Sequence, residues 1–186
     1  MRVLLHVCCA CCALKALRAP ELAGSQPLLF FANPNIHPLA EFRKRLKSAA
    51  LLAERLGMPI EIDEEYGLVP FLRAVVGHED SRCRICYRMR MEAAAARAEA
   101  SGCEAMTTTM FASPHQDHDL LASIGRGLAA ERNIGFIRGD WRDTQGLPEP
   151  PGLKLHRQQY CGCIYSEADR RAGAPAGGTC AREAAR

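Results

Sequence analysis

The sequence predicts an α/β fold, a doubly wound and mostly parallel β-sheet within a single domain. Two observations support this prediction. Short apolar runs alternate with amphipathic or alanine-rich segments along the chain, and strands that alternate with helices form parallel sheets covered on both faces. The chain has 186 residues, of which 48% are hydrophobic, and this length and composition suit one globular domain with a full core.

Five short apolar runs are the predicted strands. Runs of this length, bounded by turn-forming residues, are typical of buried strands, and the second run is closed by the turn-forming sequence NPNIHP. The predicted strands are residues 3–6, 28–32, 60–62, 105–109 and 134–137.

Five longer segments are the predicted helices. In the second, LAEFRKRLKSAALLAERL, the apolar side chains of Phe42, Leu46 and Ala49 share a face, and most basic residues lie opposite until Gly57 ends the helix. The predicted helices are residues 10–18, 39–56, 68–76, 83–100 and 118–130.

The composition changes near the C-terminus. After Ser166 the sequence EADRRAGAPAGGTCAREAAR is rich in Ala, Gly and Arg and has almost no large apolar residue. We therefore predict a folded domain over residues 1–166 and a mobile tail over residues 167–186.

The absence of long apolar segments predicts a cytoplasmic protein without a membrane anchor. The N-terminal apolar run in MRVLLHVCCA is too short for a signal peptide, and no run approaches the roughly 18 residues of a membrane span. The formal charge is only +3, but basic residues gather in two short windows, which favours an anionic partner. In a reducing compartment, ten cysteines favour metal binding or redox chemistry over disulfides.

Eight of the cysteines form three groups, in the segments HVCCACC, RCRIC and YCGC. The first lies at the predicted turn after the first strand, and the second opens a predicted helix. Helix N-termini and nearby arginines lower the pKa of thiols, which favours the thiolate that metals bind. The groups contain Cys8, Cys9, Cys11 and Cys12; Cys83 and Cys86; and Cys161 and Cys163. The isolated Cys103 and Cys180 are predicted to be a buried inert thiol and a tail residue.

The cysteine turn and the segment TTTMFASPH follow the first and fourth predicted strands. Ligands of such sheets bind in the crevice beyond the carboxyl ends of the strands, where both segments are expected. One zinc ion or one iron–sulfur cluster needs only four cysteines. The pattern therefore leaves open a zinc site, a cluster, and a second metal or a redox pair beside either.

Five segments carry a resemblance to a known family. HVCCACC, FFANPNIHPLAEFRKRL, RCRICYRMRM, TTTMFASPHQDHDL and RQQYCGCIYS, in this order and spacing, resemble the QueH-type epoxyqueuosine reductases over about residues 2–166. The resemblance implies a HUP-like doubly wound fold. It also implies cobalamin-independent, two-electron reduction of epoxyqueuosine to queuosine at the wobble position of tRNA.

The resemblance further implies a [4Fe-4S] cluster and an adjacent mononuclear iron. Cys11 departs from the pattern, because it stands where relatives usually have proline. We assign the remaining grouped cysteines to two sites: Cys9, Cys12, Cys83 and Cys86 to the cluster, and Cys8, Cys161 and Cys163 to the second metal.

Proton donors and tRNA contacts are also expected within the matching segments. Tyr160 and His115 are the leading candidates for proton delivery, with a structural role at the start of the next helix as the alternative for His115 and its neighbours Asp117 and Asp119. The partners implied are tRNA carrying epoxyqueuosine in its anticodon and an unidentified electron donor. The candidate phosphate-binding residues are Arg43, Arg45, Arg82, Arg84 and Arg88, and the candidate base-stacking residues are Tyr87 and Phe111.

Two other classes of function compete with the reductase. A zinc-stabilised, non-catalytic nucleic-acid-binding module would be colourless and contain zinc. A nucleotide-activating enzyme on the same fold would need a phosphate loop of the SGGxDS type after the first strand. The sequence there is VCCACCA, which offers thiolates in place of the glycines and serine, so this class ranks below the reductase.

Overall fold

A computed structural model describes residues 1–173. Within this part of the chain the strands form one five-stranded sheet, in the order β3-β2-β1-β4-β5, and every neighbouring pair is parallel. The strands are β1 (Arg2–His6), β2 (Gln26–Ala32), β3 (Ile60–Asp63), β4 (Ala105–Thr108) and β5 (Gly135–Phe136). The predicted α/β fold class is confirmed.

Helices cover the sheet. In chain order they are α1 (Ala10–Ala16), α2 (Leu39–Leu56), α3 (Leu68–Val75), α4 (Arg82–Ala100), α5 (His118–Ala130) and α6 (Ile164–Arg171). Helix α1 packs against α2, whereas α4 packs on β1 and against α3 and α5. The first five helices confirm the predicted ones. Within residues 1–173, none of the helices combines the length and the hydrophobicity of a membrane-spanning segment.

Helix α6 continues past the predicted end of the folded domain at Ser166. The Cys163 side chain caps its N-terminus, and Asp169 forms an ion pair with Arg82 of α4 at 2.5 Å. These two contacts explain why residues 167–171 are helical despite their polar composition. The rest of the predicted tail, residues 174–186 with Cys180, lies outside the described residues.

Strand β1 lies at the centre of the sheet, between β2 and β4. Its residues Val3, Leu4 and Leu5 are fully buried, as expected of a strand covered on both faces. The chain order of the strands reverses between β1 and β4, and such a switch point opens a crevice at the carboxyl edge of the sheet. The segments that follow β1 and β4 therefore border one crevice.

Candidate metal centre and active site

Three cysteine sulfurs converge at the turn between β1 and α1. Cys9 is the N-cap of α1, and its Sγ accepts a hydrogen bond from the backbone N–H of Cys12 at 3.3 Å. The Sγ atoms of Cys8, Cys9 and Cys12 all lie within 4.8 Å of one another, and all three residues are buried. We call these residues the cysteine triad. A sharp turn into a helix brings them together because the cap and the first turn share one end of the helix.

Two distant segments hold the cysteine triad. Thr109, which follows β4, accepts a hydrogen bond from the Cys8 backbone N–H at 2.9 Å, and its hydroxyl donates to Cys8 Sγ at 3.1 Å. The Gln158 amide donates to Cys9 Sγ at 3.0 Å and to Cys12 Sγ at 3.6 Å. The triad is thus bordered by the crevice on one side and by the C-terminal part of the chain on the other.

The three thiols of the cysteine triad differ in their pKa values. Hydrogen bonds from the Cys12 and Cys9 thiols hold the pKa of Cys8 well below its usual value, against the effect of burial. The pKa of Cys12 is raised well above its usual value because its thiol bonds to Cys8 and Cys9 and is buried. Hydrogen bonding with Cys12 lowers the pKa of Cys9, but the bond to Cys8 and burial outweigh it and raise the pKa.

The other cysteine groups lie in α4 and near the start of α6. Cys86 Sγ accepts a hydrogen bond from the Asn35 amide at 2.6 Å, and Cys161 Sγ accepts one from the Gln116 amide at 3.1 Å. Burial raises the pKa of Cys86 to about 12, and the neighbouring Cys161 and Cys163 act in the same direction. This mutual influence indicates that Cys86, Cys161 and Cys163 share one region of the crevice.

Cys83 lies one helical turn before Cys86, and it is buried and disulfide-bonded. Metal ligation requires its thiolate, so this bond has to be reduced first. Among residues 1–173, the only group of three converging His, Cys, Asp or Glu ligand atoms is the cysteine triad. The structure therefore groups Cys8 with two predicted cluster ligands, Cys9 and Cys12.

A segment that we call the strap, residues 155–163, is clamped by α2. The Arg45 guanidinium donates to the carbonyl oxygens of Cys161 and Tyr160, each at 3.0 Å. Its Nε forms an ion pair with Glu41 at 2.7 Å, and the other Glu41 oxygen lies 2.9 Å from His156 Nε2. Arg45 is 1% exposed, so its predicted role in phosphate binding is wrong. It holds the strap in place.

The strap also places the candidate proton donor Tyr160. Its hydroxyl donates to the His37 carbonyl oxygen at 2.5 Å, and burial raises the pKa of Tyr160 to about 12. At Gly162 the chain turns with φ +138°, and the Gly162 carbonyl accepts from the His37 N–H at 2.7 Å. Glycine suits this backbone conformation, which side-chain-bearing residues rarely adopt.

The second candidate donor, His115, lies in the segment between β4 and α5. Its backbone N–H donates to Ser113 Oγ at 3.2 Å, and the next residue, Gln116, contacts Cys161. Asp117 caps α5 by accepting from the N–H groups of Asp119 and Leu120, so the capping alternative is confirmed for Asp117. His6 is buried and paired with Thr108 and the Ala32 carbonyl.

Several predicted tRNA-contacting residues are unavailable for this role. Tyr87 and Phe111 are fully buried, so their predicted stacking on an exposed base is wrong. Arg82 is buried and paired with Asp169. Arg43, Arg84 and Arg88 are exposed, so their phosphate-binding role stays a prediction.

Residues that the sequence analysis missed complete the site. Thr109, Gln116 and Gln158 donate hydrogen bonds to cysteine sulfurs, and Asn35 links Cys86 to the buried Arg90. All four donors lie in or beside the segments that carry the resemblance. Their polar side chains, close to the cysteine motifs in these segments, were the signal that could have predicted them as donors to the sulfurs.

The donor set indicates which groups this site can hold. Thiolates are soft ligands that select zinc, copper(I) or iron–sulfur clusters. Buried sulfurs that already accept amide and hydroxyl hydrogen bonds are typical of cluster sites, where such bonds tune the cluster. The residues present therefore fit a thiolate-held metal group.

The chain is similar to proteins of one family. The family model described as "Epoxyqueuosine reductase QueH" matches residues 3–169. The epoxyqueuosine reductase QueH of Dehalococcoides mccartyi is 35% identical over 173 residues, which cover 91% of this chain and 94% of the relative. That of Thermotoga maritima is 30% identical, with 91% and 92% covered. That of Helicobacter pylori is 32% identical over 88% of this chain, which spans only 49% of that longer relative.

Proposed function

The chain belongs to the epoxyqueuosine reductase QueH family, and from this premise we propose that it reduces epoxyqueuosine in a tRNA anticodon to queuosine. The observation that carries the proposal is the buried cysteine triad at the switch point of the sheet. Thiolates at that edge suit an oxidoreductase better than a phosphate-binding enzyme. We expect the protein to act in the cytoplasm, where tRNA is modified.

The reaction fixes what the site must supply. Both carbon–oxygen bonds of the epoxide break, a carbon–carbon double bond forms, and the oxygen leaves as water. Two electrons and two protons are consumed. The electrons come from an external one-electron donor, and the protons come from groups in the crevice.

We propose that the thiolates hold a [4Fe-4S] cluster and an adjacent mononuclear iron. Cys9, Cys12, Cys83 and Cys86 are the proposed cluster ligands, and Cys8, Cys161 and Cys163 are the proposed ligands of the second iron. The position of Cys8 Sγ within 4.8 Å of the Cys9 and Cys12 sulfurs supports two adjoining sites. When bound, the two groups supply single-electron transfer and Lewis-acid stabilisation of the departing oxygen.

We propose Tyr160 and His115 as the proton donors. Tyr160 is protonated at neutral pH, since the ordinary pKa of a tyrosine is near 10 and burial raises that of Tyr160 further, to about 12. The position of His115 beside Gln116, whose amide contacts Cys161, supports a role near the second iron. Arg45 contributes by holding the backbone of the strap.

The proposed tRNA surface is a groove between α2 and the strap. We call it the lysine groove. It is a cavity of about 490 Å³ whose exposed rim carries Lys44, Lys47, Lys154 and Arg157. None of the three lysines forms an ion pair with another residue of the described chain. Gln158, which contacts Cys9, lies two residues beyond His156 in the groove wall. Phosphates bound there would lead the nucleic acid to the cysteines.

Replacing Lys44, Lys47 and Lys154 together by glutamine is expected to weaken tRNA binding and its dependence on salt. Each lost phosphate contact lowers the slope of log K against log salt by roughly 0.7, so the slope should fall by about two. Filter binding across a salt series measures it. The control replaces Arg55, Arg73 and Arg126, which are exposed cations elsewhere, by glutamine. Equal slopes of log K against log salt in both triple variants would contradict the proposal that the lysine groove binds tRNA.

The reductase proposal is tested with protein purified without oxygen. We expect a brown solution whose broad visible absorption bleaches on reduction, and conversion of epoxyqueuosine in tRNA to queuosine with a chemical one-electron reductant. A colourless, iron-free protein that performs the conversion would refute the cluster. A brown protein that leaves the epoxide intact would refute the reductase. The alternative, a zinc-stabilised nucleic-acid-binding module, requires a colourless protein that contains zinc.

A further inference from the structure

Arg90 is a buried cation without a carboxylate partner. It lies in α4, one turn after Cys86, and is 1% exposed. Its Nε donates to Asn35 Oδ1 at 2.6 Å, and its Nη1 lies 3.4 Å from the Met110 sulfur. Its Nη2 is buried and has no hydrogen-bond partner. No carboxylate among residues 1–173 forms an ion pair with this guanidinium.

Such a charge has a large desolvation cost unless a counter-charge is near. Arginine does not escape this cost by losing its proton, because its guanidinium stays protonated in proteins. A buried arginine therefore indicates a nearby anion, and the unpaired Nη2 is a free donor for it. The anion has to come from groups other than the carboxylates of the described chain.

Arg90 is linked to the cysteine site through Asn35. Asn35 bridges it to Cys86, because its oxygen accepts from Arg90 and its amide donates to Cys86 Sγ, both at 2.6 Å. Burial raises the pKa values of Cys86 and Cys161, and the Arg90 charge opposes burial at both. Hydrogen bonds from Cys12 and Cys9 lower the pKa of Cys8, and Arg90 acts in the same direction. Hydrogen bonds thus link Arg90 through Asn35 to Cys86, and its charge acts on a sulfur of each of the three cysteine groups.

We propose that Arg90 is the fixed counter-charge of the thiolate site and that, with Asn35, it raises the reduction potential of the iron–sulfur group bound there. The inference rests on the proposed function. Iron–sulfur groups held by thiolates carry net negative charge, which grows by one on reduction. A buried positive charge stabilises the reduced state more than the oxidised state. Arg90 is therefore a positioning residue, which acts through charge and through Asn35.

The test compares Arg90→Lys, Arg90→Met and Asn35→Asp with the wild type, all purified and reconstituted without oxygen. Iron and sulfide per chain measure binding, and a redox titration followed by electron paramagnetic resonance measures the midpoint potential. Arg90→Lys keeps the charge, and we expect it to retain iron and a near wild-type potential. Arg90→Met should lose iron or shift its potential to more negative values by at least the 59 mV that corresponds to a tenfold change in the one-electron equilibrium.

Asn35→Asp tests the same inference in a second way if Arg90→Met fails to fold. An aspartate would pair with Arg90 and repel the Cys86 thiolate, so the apo-protein should gain thermal stability while iron binding and the midpoint potential fall. A purely structural role for Arg90 predicts no shift of the potential. Wild-type iron content and potential in Arg90→Met and Asn35→Asp would overturn the inference and leave the reductase proposal intact. A wild type that binds no iron would overturn both.

Discussion

Replacing Cys9 by serine is expected to remove the visible iron–sulfur absorption and to lower the rate of epoxyqueuosine reduction by on the order of 100-fold or more, because loss of an outer-shell partner alone costs 10–100-fold. Cys9 is 1% exposed and caps α1. Its sulfur accepts from the Cys12 N–H and from Gln158. A serine hydroxyl still caps the helix, so the fold should persist while the soft ligand is lost.

Cys11→Ser is the matched control for this variant. Cys11 lies in the same turn and is only partly buried, and its thiol faces the His156 carbonyl at 3.7 Å. Its sulfur is outside the cysteine triad. We expect wild-type iron content and a turnover within about twofold of the wild type, since substitutions away from special features have small effects. Loss of iron in Cys11→Ser together with full iron in Cys9→Ser would mean that Cys11, and not Cys9, is the iron ligand in this turn.

The sheet and its crevice could be predicted from the sequence because their signals are local. Apolar runs of strand length alternate with helical segments, and the cysteine turn directly follows the first run. The parallel order then brings the ends of β1 and β4 together. Thr109 of the TTTMF segment consequently reaches Cys8, as the predicted crevice requires.

The fate of the basic residues depends on long-range contacts. The segment RKRLK is typical of a charged, solvent-exposed helix face. Arg45 is nevertheless buried, because the strap, more than 100 residues later in the chain, crosses it. The spacing of Glu41 and Arg45, which allows an ion pair within one helix face, was the available signal. Arg90 was missed for the same reason, since Asn35 approaches it from a distant loop.

The acidity of the thiols also differs from the prediction. Helix N-termini and arginines were expected to lower their pKa values, but burial dominates at Cys86 and Cys161 and raises the pKa of both. Cys8 alone among the triad has a lowered pKa, because its two neighbours donate hydrogen bonds to it. Burial depends on how the whole chain packs, so it could not be predicted from the cysteine motifs alone.

Replacing Cys161 by serine is expected to leave the cluster absorption intact and to lower turnover by on the order of 100-fold or more, since even outer-shell changes at metal sites cost 10–100-fold. The reason is the proposed division of ligands, in which Cys161 holds the second iron. Cys161 lies in the strap, where Gln116 contacts its sulfur and Arg45 its carbonyl. Iron analysis, visible spectroscopy and a tRNA conversion assay measure the two effects separately.

Cys103→Ser is the control for this second variant, because Cys103 is also buried but lies just before β4, at the amino edge of the sheet. It should keep both the cluster and the activity. If Cys161→Ser loses the cluster absorption, Cys161 is a cluster ligand and the proposed division is wrong. If it keeps full iron and full turnover, the strap cysteines have no part in the chemistry. Retained colour with lost turnover and a lower iron content per chain is the result that supports a second metal site, because a catalytic thiol that holds no metal would leave the iron content unchanged.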